Sequence, residues 1–427
     1  MKMLVRVVVA VLLLTFTLMA AIWTLELRHE EKVAGADDPF APTAQQIERG
    51  AYLALAGNCA ACHTARGGRP YAGGKGIETP FGTVYTSNLT PDAQSGIGAW
   101  SADHFWRALH EGRSRDGRLL YPAFPYPDYT HVTREDSDAI FAYLRSVPPV
   151  PQPNRPHELG FPYDTQFALA TWRILFFERG SFEPNPARSA QWNRGAYLVR
   201  GLGHCGACHG ERNVFGATRE NLGLSGGMIP TTNWYAPSLT SADEAGVAQW
   251  KRGDVVELLK SGTSPRGSTM GPMAEVVFRS TQYLTEEDLN AVAVYLGDLP
   301  QAMPRKTERV AELEPHVRLR GEQVYHDHCE DCHGADGTGT VGACPALAGN
   351  RAVTMTSTAN PIRVVLGGGY LPATAGNPRP HGMPPFAQML GDADIAAVLS
   401  YVRNSWGNAA APVKPHEVSR HRQSRLN

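Results

Sequence analysis

One five-residue pattern constrains this chain more than anything else in it. Cys59-Ala-Ala-Cys62-His63, Cys205-Gly-Ala-Cys208-His209 and Cys329-Glu-Asp-Cys332-His333 each pair two cysteines across two residues and follow them at once with histidine. Six of the seven cysteines are used this way, leaving Cys344 over. Zinc would pool two such pairs into one site, and a thioredoxin-like redox pair needs only the cysteines. Neither has a use for a histidine immediately after every pair. Two cysteines at this spacing reach both vinyl positions of one porphyrin and fasten it by thioethers, and the adjacent histidine then lies beneath the iron. The pattern predicts three covalently bound haem c groups, with His63, His209 and His333 as proximal iron ligands.

At 427 residues the chain has room for two to four domains, so more than one core is expected. Its 43 Gly and 32 Pro make it rich in loops, and a covalent haem would fill cores that aliphatic side chains alone do not. The formal net charge of −1 gives no reason to expect nucleic acid as a partner.

The chain is also written in copies. Arg49-Gly-Ala-Tyr-Leu53 precedes the first motif, Arg194-Gly-Ala-Tyr-Leu198 the second, and a reduced copy starts at Arg320-Gly321. Tyr85-Thr-Ser-Asn-Leu-Thr90 with Trp100 and Gly112 recurs, displaced by 150 residues, as Tyr235-Ala-Pro-Ser-Leu-Thr240 with Trp250 and Gly262. Each copy closes with helical spacing of apolar residues: Ile140 and Leu144; Val292 and Leu296; Ile395, Val398 and Leu399. Thr133 and Thr285 are expected N-caps, with Asp136 and Asp288 three residues on; Gly391 and Asp394 take these places in the third copy. A tyrosine follows each of these aspartates by seven residues, at Tyr143, Tyr295 and Tyr401.

This order predicts an all-α chain of three tandem class I cytochrome c domains, each a small helical domain around one covalent haem. The expected boundaries are 44–150, 190–304 and 314–407. Residues 151–189 are read as a linker whose apolar stretch Phe167 to Phe177 is suited to a docking helix, and residues 408–427 as a loose tail. Residues 1–36 are read as a signal peptide or membrane anchor. Lys2 and Arg6 precede an uncharged run from Val7 to Trp23, which puts the start of the chain in the cytoplasm and the rest outside. A cleaved signal peptide is the rival to a retained helix. Leu18-Met19-Ala20 lacks the small residue that cleavage favours, and Ala34-Gly35-Ala36 lies beyond the charged stretch Arg28 to Lys32.

The sixth iron ligand decides between electron transfer and an open haem. In the third copy Met383, within His381-Gly-Met-Pro-Pro-Phe386, is preferred over Met389, which is expected in the core. In the second, Met273 of Gly271-Pro-Met-Ala274 is preferred over Met270. The first copy has no methionine, since none occurs between Met19 and Met228, and Phe124 stands where Met383 would align. Its sixth ligand is open: His131, His104, His110, a group from another domain, or nothing. That haem should therefore differ from the other two in spectrum and potential. Cys344 reads as a structural thiol, and Gly367-Gly368-Gly369 and Gly223 to Gly227 as turns.

The chain resembles the three-haem cytochrome c subunits of membrane-bound periplasmic dehydrogenases, which serve alcohol, gluconate, fructose and aldehyde dehydrogenases. The resemblance rests on the Arg-Gly-Ala-Tyr-Leu copies, on Tyr85 to Thr90 with Ile97-Gly-Ala-Trp100, and on Trp192-Asn-Arg-Gly195. It rests also on Gly271-Pro-Met-Ala-Glu275 and Tyr401-Val-Arg-Asn-Ser-Trp406. It implies an electron-transfer subunit on the periplasmic side of the membrane, with no catalytic residues of its own. A separate catalytic subunit, of flavin, quinone-cofactor or molybdenum type, would feed it, and ubiquinone or a terminal oxidase or cytochrome would receive the electrons. Members of the family often carry Met where Phe124 stands. The readings from other classes are a peroxidase-like enzyme at an open first haem, and a haem sensor or oxidase subunit.

Overall fold

The computed structural model describes residues 1–28, 40–218, 223–302, 313–340 and 343–423. The Ala34-Gly35-Ala36 triplet lies outside them. Helices predominate, but the expectation of an all-α chain needs correction. Gly76–Thr79, Gly82–Tyr85 and Glu158–Leu159 form a three-stranded antiparallel sheet, with Ile77 opposite Val84 and Thr83 opposite Glu158. Among the described residues, three two-stranded antiparallel pairs occur further along. Loops rich in Gly and Pro must still satisfy their backbone polar groups, and short antiparallel pairing does so locally.

Contacts divide the chain into two compact units: Met1–Ala54 with Cys62–Glu183 and Val214–Ala217, and Leu55–Ala61 with Pro184–Asn213 and Thr218–Asn427. In the first, the helix Ala44–Ala56 packs against the closing helix Arg134–Ser146. Thr133 caps the closing helix by accepting from the Asp136 amide, and the Asp136 carboxylate accepts from Arg49 Nε at 2.9 Å. Gly50 lies so close to the partner helix that a Cβ there would sit 1.8 Å from the Ala139 carbonyl oxygen.

The N-terminal helix Lys2–Ile22 continues to Leu27 and is long and apolar enough to cross a membrane, with most of its side chains exposed. Its far end is part of the first unit. Ile22 is buried with Leu119, Leu169 and Ala170, and the Glu26 carboxylate accepts from Arg113 Nη2 and Arg173 Nε, both at 2.9 Å. Arg173 belongs to the helix Gln166–Phe176, which folds from the segment read as a linker and buries Leu169, Ala170 and Arg173.

In the second unit the same arrangement occurs twice. Arg194 Nε donates to Asp288 Oδ1 at 2.7 Å between the helices Ala190–Tyr197 and Glu286–Gly297. Arg320 Nε donates to Asp394 Oδ1 at 2.7 Å between Pro315–His328 and Asp392–Val402. Hypothetical Cβ atoms on Gly195 and Gly321 would lie 2.0 Å from the Ala291 oxygen and 2.3 Å from that of Ala397. Of the segment 408–427 expected to be a loose tail, the described part to residue 423 is ordered: Pro415–Gln423 is a helix, Val413 and Val418 are buried in the core of the third copy, and Arg422 Nε bonds Asp392 Oδ1 at 2.7 Å. Its polar composition hid two apolar anchors and one ion pair.

Candidate haem sites

Each motif forms a short helical turn, at Cys59–His63, Gly206–His209 and Glu330–His333. A turn of this kind is a compact way to bring two cysteines and a histidine to one side. The histidines are then oriented identically. His63 Nδ1 lies 2.7 Å from the Ser87 carbonyl oxygen, His209 Nδ1 2.7 Å from that of Pro237, and His333 Nδ1 3.0 Å from that of Pro345. A carbonyl oxygen only accepts, so Nδ1 must carry the proton, and Nε2 is left with the lone pair a metal needs. Burial holds all three imidazoles below their ordinary pKa, against the opposing pull of the carbonyl bond. Each ring is therefore neutral with a fixed tautomer, as an iron ligand would have to be.

These carbonyls explain the repeated stretch in the sequence. Ser87 and Pro237 are the same position of the Tyr85 and Tyr235 copies, displaced by 150 residues. The loop around them is pinned alike: Asn88 Oδ1 accepts from the Thr90 amide at 2.9 Å, and Ser238 Oγ from the Thr240 amide at 3.2 Å. The repeat was legible in the sequence; a role for its backbone oxygen was not, because any residue type supplies one.

At the third site the motif and a methionine come together. One cavity is lined by Cys329, Cys332, His333, Met383 and Phe386, and also by Met270. Met383 is placed there by a two-residue strand, Gly382–Met383, paired with Gly369–Tyr370. Thus two cysteines, a histidine and a thioether share one largely apolar chamber, a donor set that fits a covalent haem c with axial His and Met. Met389, expected in the core, is 65% exposed and does not line this cavity. Cys344 lines it and is half-buried beside Cys332.

The two methionines of the second copy part company. Met273 stands in the first turn of the helix Pro272–Arg279, whereas Met270 points its side chain into the third site. In the first copy, Phe124 packs at 5.4 Å against Tyr129, in an aromatic cluster with the fully buried Tyr126. The three histidines that are candidates for its sixth ligand have these neighbours. His104 closes the capping box of the helix Ala102–Glu111, His110 stacks on Trp106 at 4.5 Å, and the His131 ring leaves no room for a Cβ on Gly180.

The family model described as cytochrome c matches residues 47–148 and 319–406, which contain the first and third motifs. Over 380 residues the chain is 37% identical to the cytochrome c subunit of alcohol dehydrogenase (quinone) from Gluconacetobacter polyoxogenes, covering 85% of this chain and 81% of that one. It is 37% identical to the gluconate 2-dehydrogenase cytochrome c subunit of Pantoea cypripedii, covering 85% and 86%. It is 41% identical to a nicotinate dehydrogenase subunit of Pseudomonas putida over 90% of its own length, and spans only 32% of that larger relative. With identity of this level running through four-fifths of the alcohol and gluconate dehydrogenase relatives, the chain belongs to the family of dehydrogenase cytochrome c subunits.

Proposed function

We propose that this chain is a three-haem electron relay, made of three tandem cytochrome c domains, that serves a membrane-bound dehydrogenase on the periplasmic side of the membrane. The observation that carries the reading is the threefold recurrence of a Cys-x-x-Cys-His turn whose histidine has its Nδ1 tied to a backbone carbonyl. Cys59 and Cys62, Cys205 and Cys208, and Cys329 and Cys332 would hold the three haems by thioethers, with His63, His209 and His333 as proximal ligands. Met273 and Met383 complete the second and third sites, and the first has no thioether of its own.

Bound haem supplies one-electron chemistry between ferric and ferrous iron. The protein contributes the rest. The carbonyl of Ser87, Pro237 or Pro345 fixes each imidazole, and buried apolar walls hold water away from the porphyrin. The loop that carries Met383 is set by pairing with Gly369–Tyr370.

Electrons would enter from a separate catalytic subunit of flavin, quinone-cofactor or molybdenum type, and leave to ubiquinone or to a terminal oxidase or cytochrome. The names of the relatives support a dehydrogenase partner. The apolar helix Lys2–Leu27, with Lys2 and Arg6 at its start, supports a membrane anchor with the domains outside. The test is haem stoichiometry of the purified full chain by pyridine haemochrome, with an optical redox titration under nitrogen and under carbon monoxide. Three thioether-linked haems, with Met-to-iron charge-transfer absorption from two of them, are expected. Fewer than three haems overturns the relay as stated.

A further inference from the structure

Met270 belongs by sequence to the second copy, between the hairpin Thr263–Ser264/Gly267–Ser268 and the helix Pro272–Arg279. By position it belongs to the third site, where it lines the same cavity as Cys329, Cys332, His333 and Met383. The local structure shows how it gets there. The helix Arg252–Ser261 ends at Gly262, which has φ 83° and lies so close to the third copy that a Cβ would meet Pro372 Cγ at 2.1 Å. The chain after Pro372 stays alongside: Gln282 Nε2 donates to the Ala373 carbonyl, and Thr374 Oγ1 to that of Ser261, both at 3.4 Å. Above this seam, Gly369 has no side chain, and the Met270 methyl lies 3.1 Å from where its Cβ would be. Elsewhere the copies are joined by a reciprocal pair of bonds between Tyr235 and Asn360, at 2.9 and 2.8 Å. The seam is a packed interface within one compact unit, and Met270 reaches through it.

We propose that Met270 is a wall of the third haem's pocket, supplied by the second copy, that raises that haem's potential and brings the second copy into contact with it. The inference rests on the three-haem reading. A polarizable, uncharged thioether against a porphyrin excludes water there, and ferric haem carries one more positive charge than ferrous. Keeping water away disfavours the more charged form and raises the potential. Met270 is then not the axial ligand of the second haem, and Met273 keeps that role. It also gives the two haems a shared protein boundary, for the loop of Met270 runs within three residues of Met273.

The experiment uses the full chain and two variants, Met270→Ala and Met270→Leu, in an optically followed redox titration. Met383→Leu in a parallel sample marks the third haem, whose Met-to-iron band it removes. The expected result for Met270→Ala is a lower midpoint for the third haem alone, with the other two unchanged and both Met-to-iron bands intact. Met270→Leu keeps apolar bulk and should leave all midpoints near native and both bands intact. It decides between wall and ligand even if the alanine variant does not fold. Loss of a Met-to-iron band in either variant would make Met270 a ligand and overturn the proposal. So would a folded Met270→Ala with three unchanged midpoints. A native chain with fewer than three thioether haems would instead mark failure of the underlying relay reading, before any variant is compared.

Discussion

The dipeptide Arg-Gly at the start of each copy is a small detail with two separate physical jobs. Arginine reaches the first turn of the closing helix and pairs with its aspartate, as Arg194 does with the nearly buried Asp288. Glycine lets the two helix backbones touch, which no other residue permits when a Cβ would sit 2.0 Å from a carbonyl oxygen. Gly195→Ala must push the helices Ala190–Tyr197 and Glu286–Gly297 apart. The expected cost is about 1–3 kcal/mol, the usual range for overpacking, read as a lower midpoint in urea. The equivalent exchange at exposed Gly253, where nothing lies within 4 Å, should show no such loss. At the third site, Met383→Ala should abolish one Met-to-iron band and leave one haem high-spin, whereas Met389→Ala should leave the spectrum intact. The sequence exposed Arg-Gly as a repeated word because identical side chains recur. It hid why the glycine is there, since the group it approaches is a backbone oxygen in a distant segment, Ala291 for Gly195.

Helix ends decide how the larger pieces are attached. The N-terminal helix does not merely lead into the first unit. Its last turn places Glu26 between Arg113 and Arg173, and Arg173 is only 1% exposed, with Nη1 also bonded to the Glu111 carbonyl. Removing one partner of such a cluster leaves a buried charge partly uncompensated. Glu26→Ala should destabilise the first unit by roughly 1–3 kcal/mol, seen as a lower thermal midpoint, while the second unit's midpoint stays put. At the other end of the chain, His421 sits on the C-terminal helix. Burial lowers its pKa first, the cations of Arg363 and Arg420 lower it further, and Glu417 opposes them. A histidine depressed in the folded state binds fewer protons there than when released. Docking of Pro415–Gln423 is thus strongest above the ordinary value of about 6.5 and weakens as pH falls through the lower folded value. The amide protection factors of this helix, taken relative to the intrinsic exchange rate at each pH, should fall on going from neutral to mildly acidic buffer, and His421→Gln should flatten that dependence. The apolar linker helix was legible from Phe167 to Phe177 because an unbroken apolar run is conspicuous. The terminal helix was not, because Val413 and Val418 are two apolar residues in a basic stretch.

At the scale of the molecule, three copies of one word in the sequence have become two compact units, the second holding two copies with a common seam. The haems should be unequal in a matching way. Two copies place a methionine in the Gly/Pro-rich stretch that precedes the closing helix, Met273 in the first turn of Pro272–Arg279 and Met383 on a two-residue strand. In the first copy the same loop presents Phe124, already engaged with Tyr129 beside Tyr126, whose hydroxyl burial pushes up to about 12. Phenylalanine offers no lone pair, so no thioether from its own copy can favour ferrous iron in the first haem. A thioether sixth ligand is one of the main devices by which a c-type haem gains potential. The first haem should therefore be reduced last as the potential is lowered, and should contribute nothing to the Met-to-iron band. Phe124→Met tests this directly, because it restores the residue that the aligned loop carries at Met383. The variant should gain a third Met-to-iron band, with one midpoint raised and the other two unmoved. If the native chain already shows three equivalent Met-ligated haems, a methionine from elsewhere reaches the first iron. The aromatic loop would then be a wall of that site and no vacancy in it.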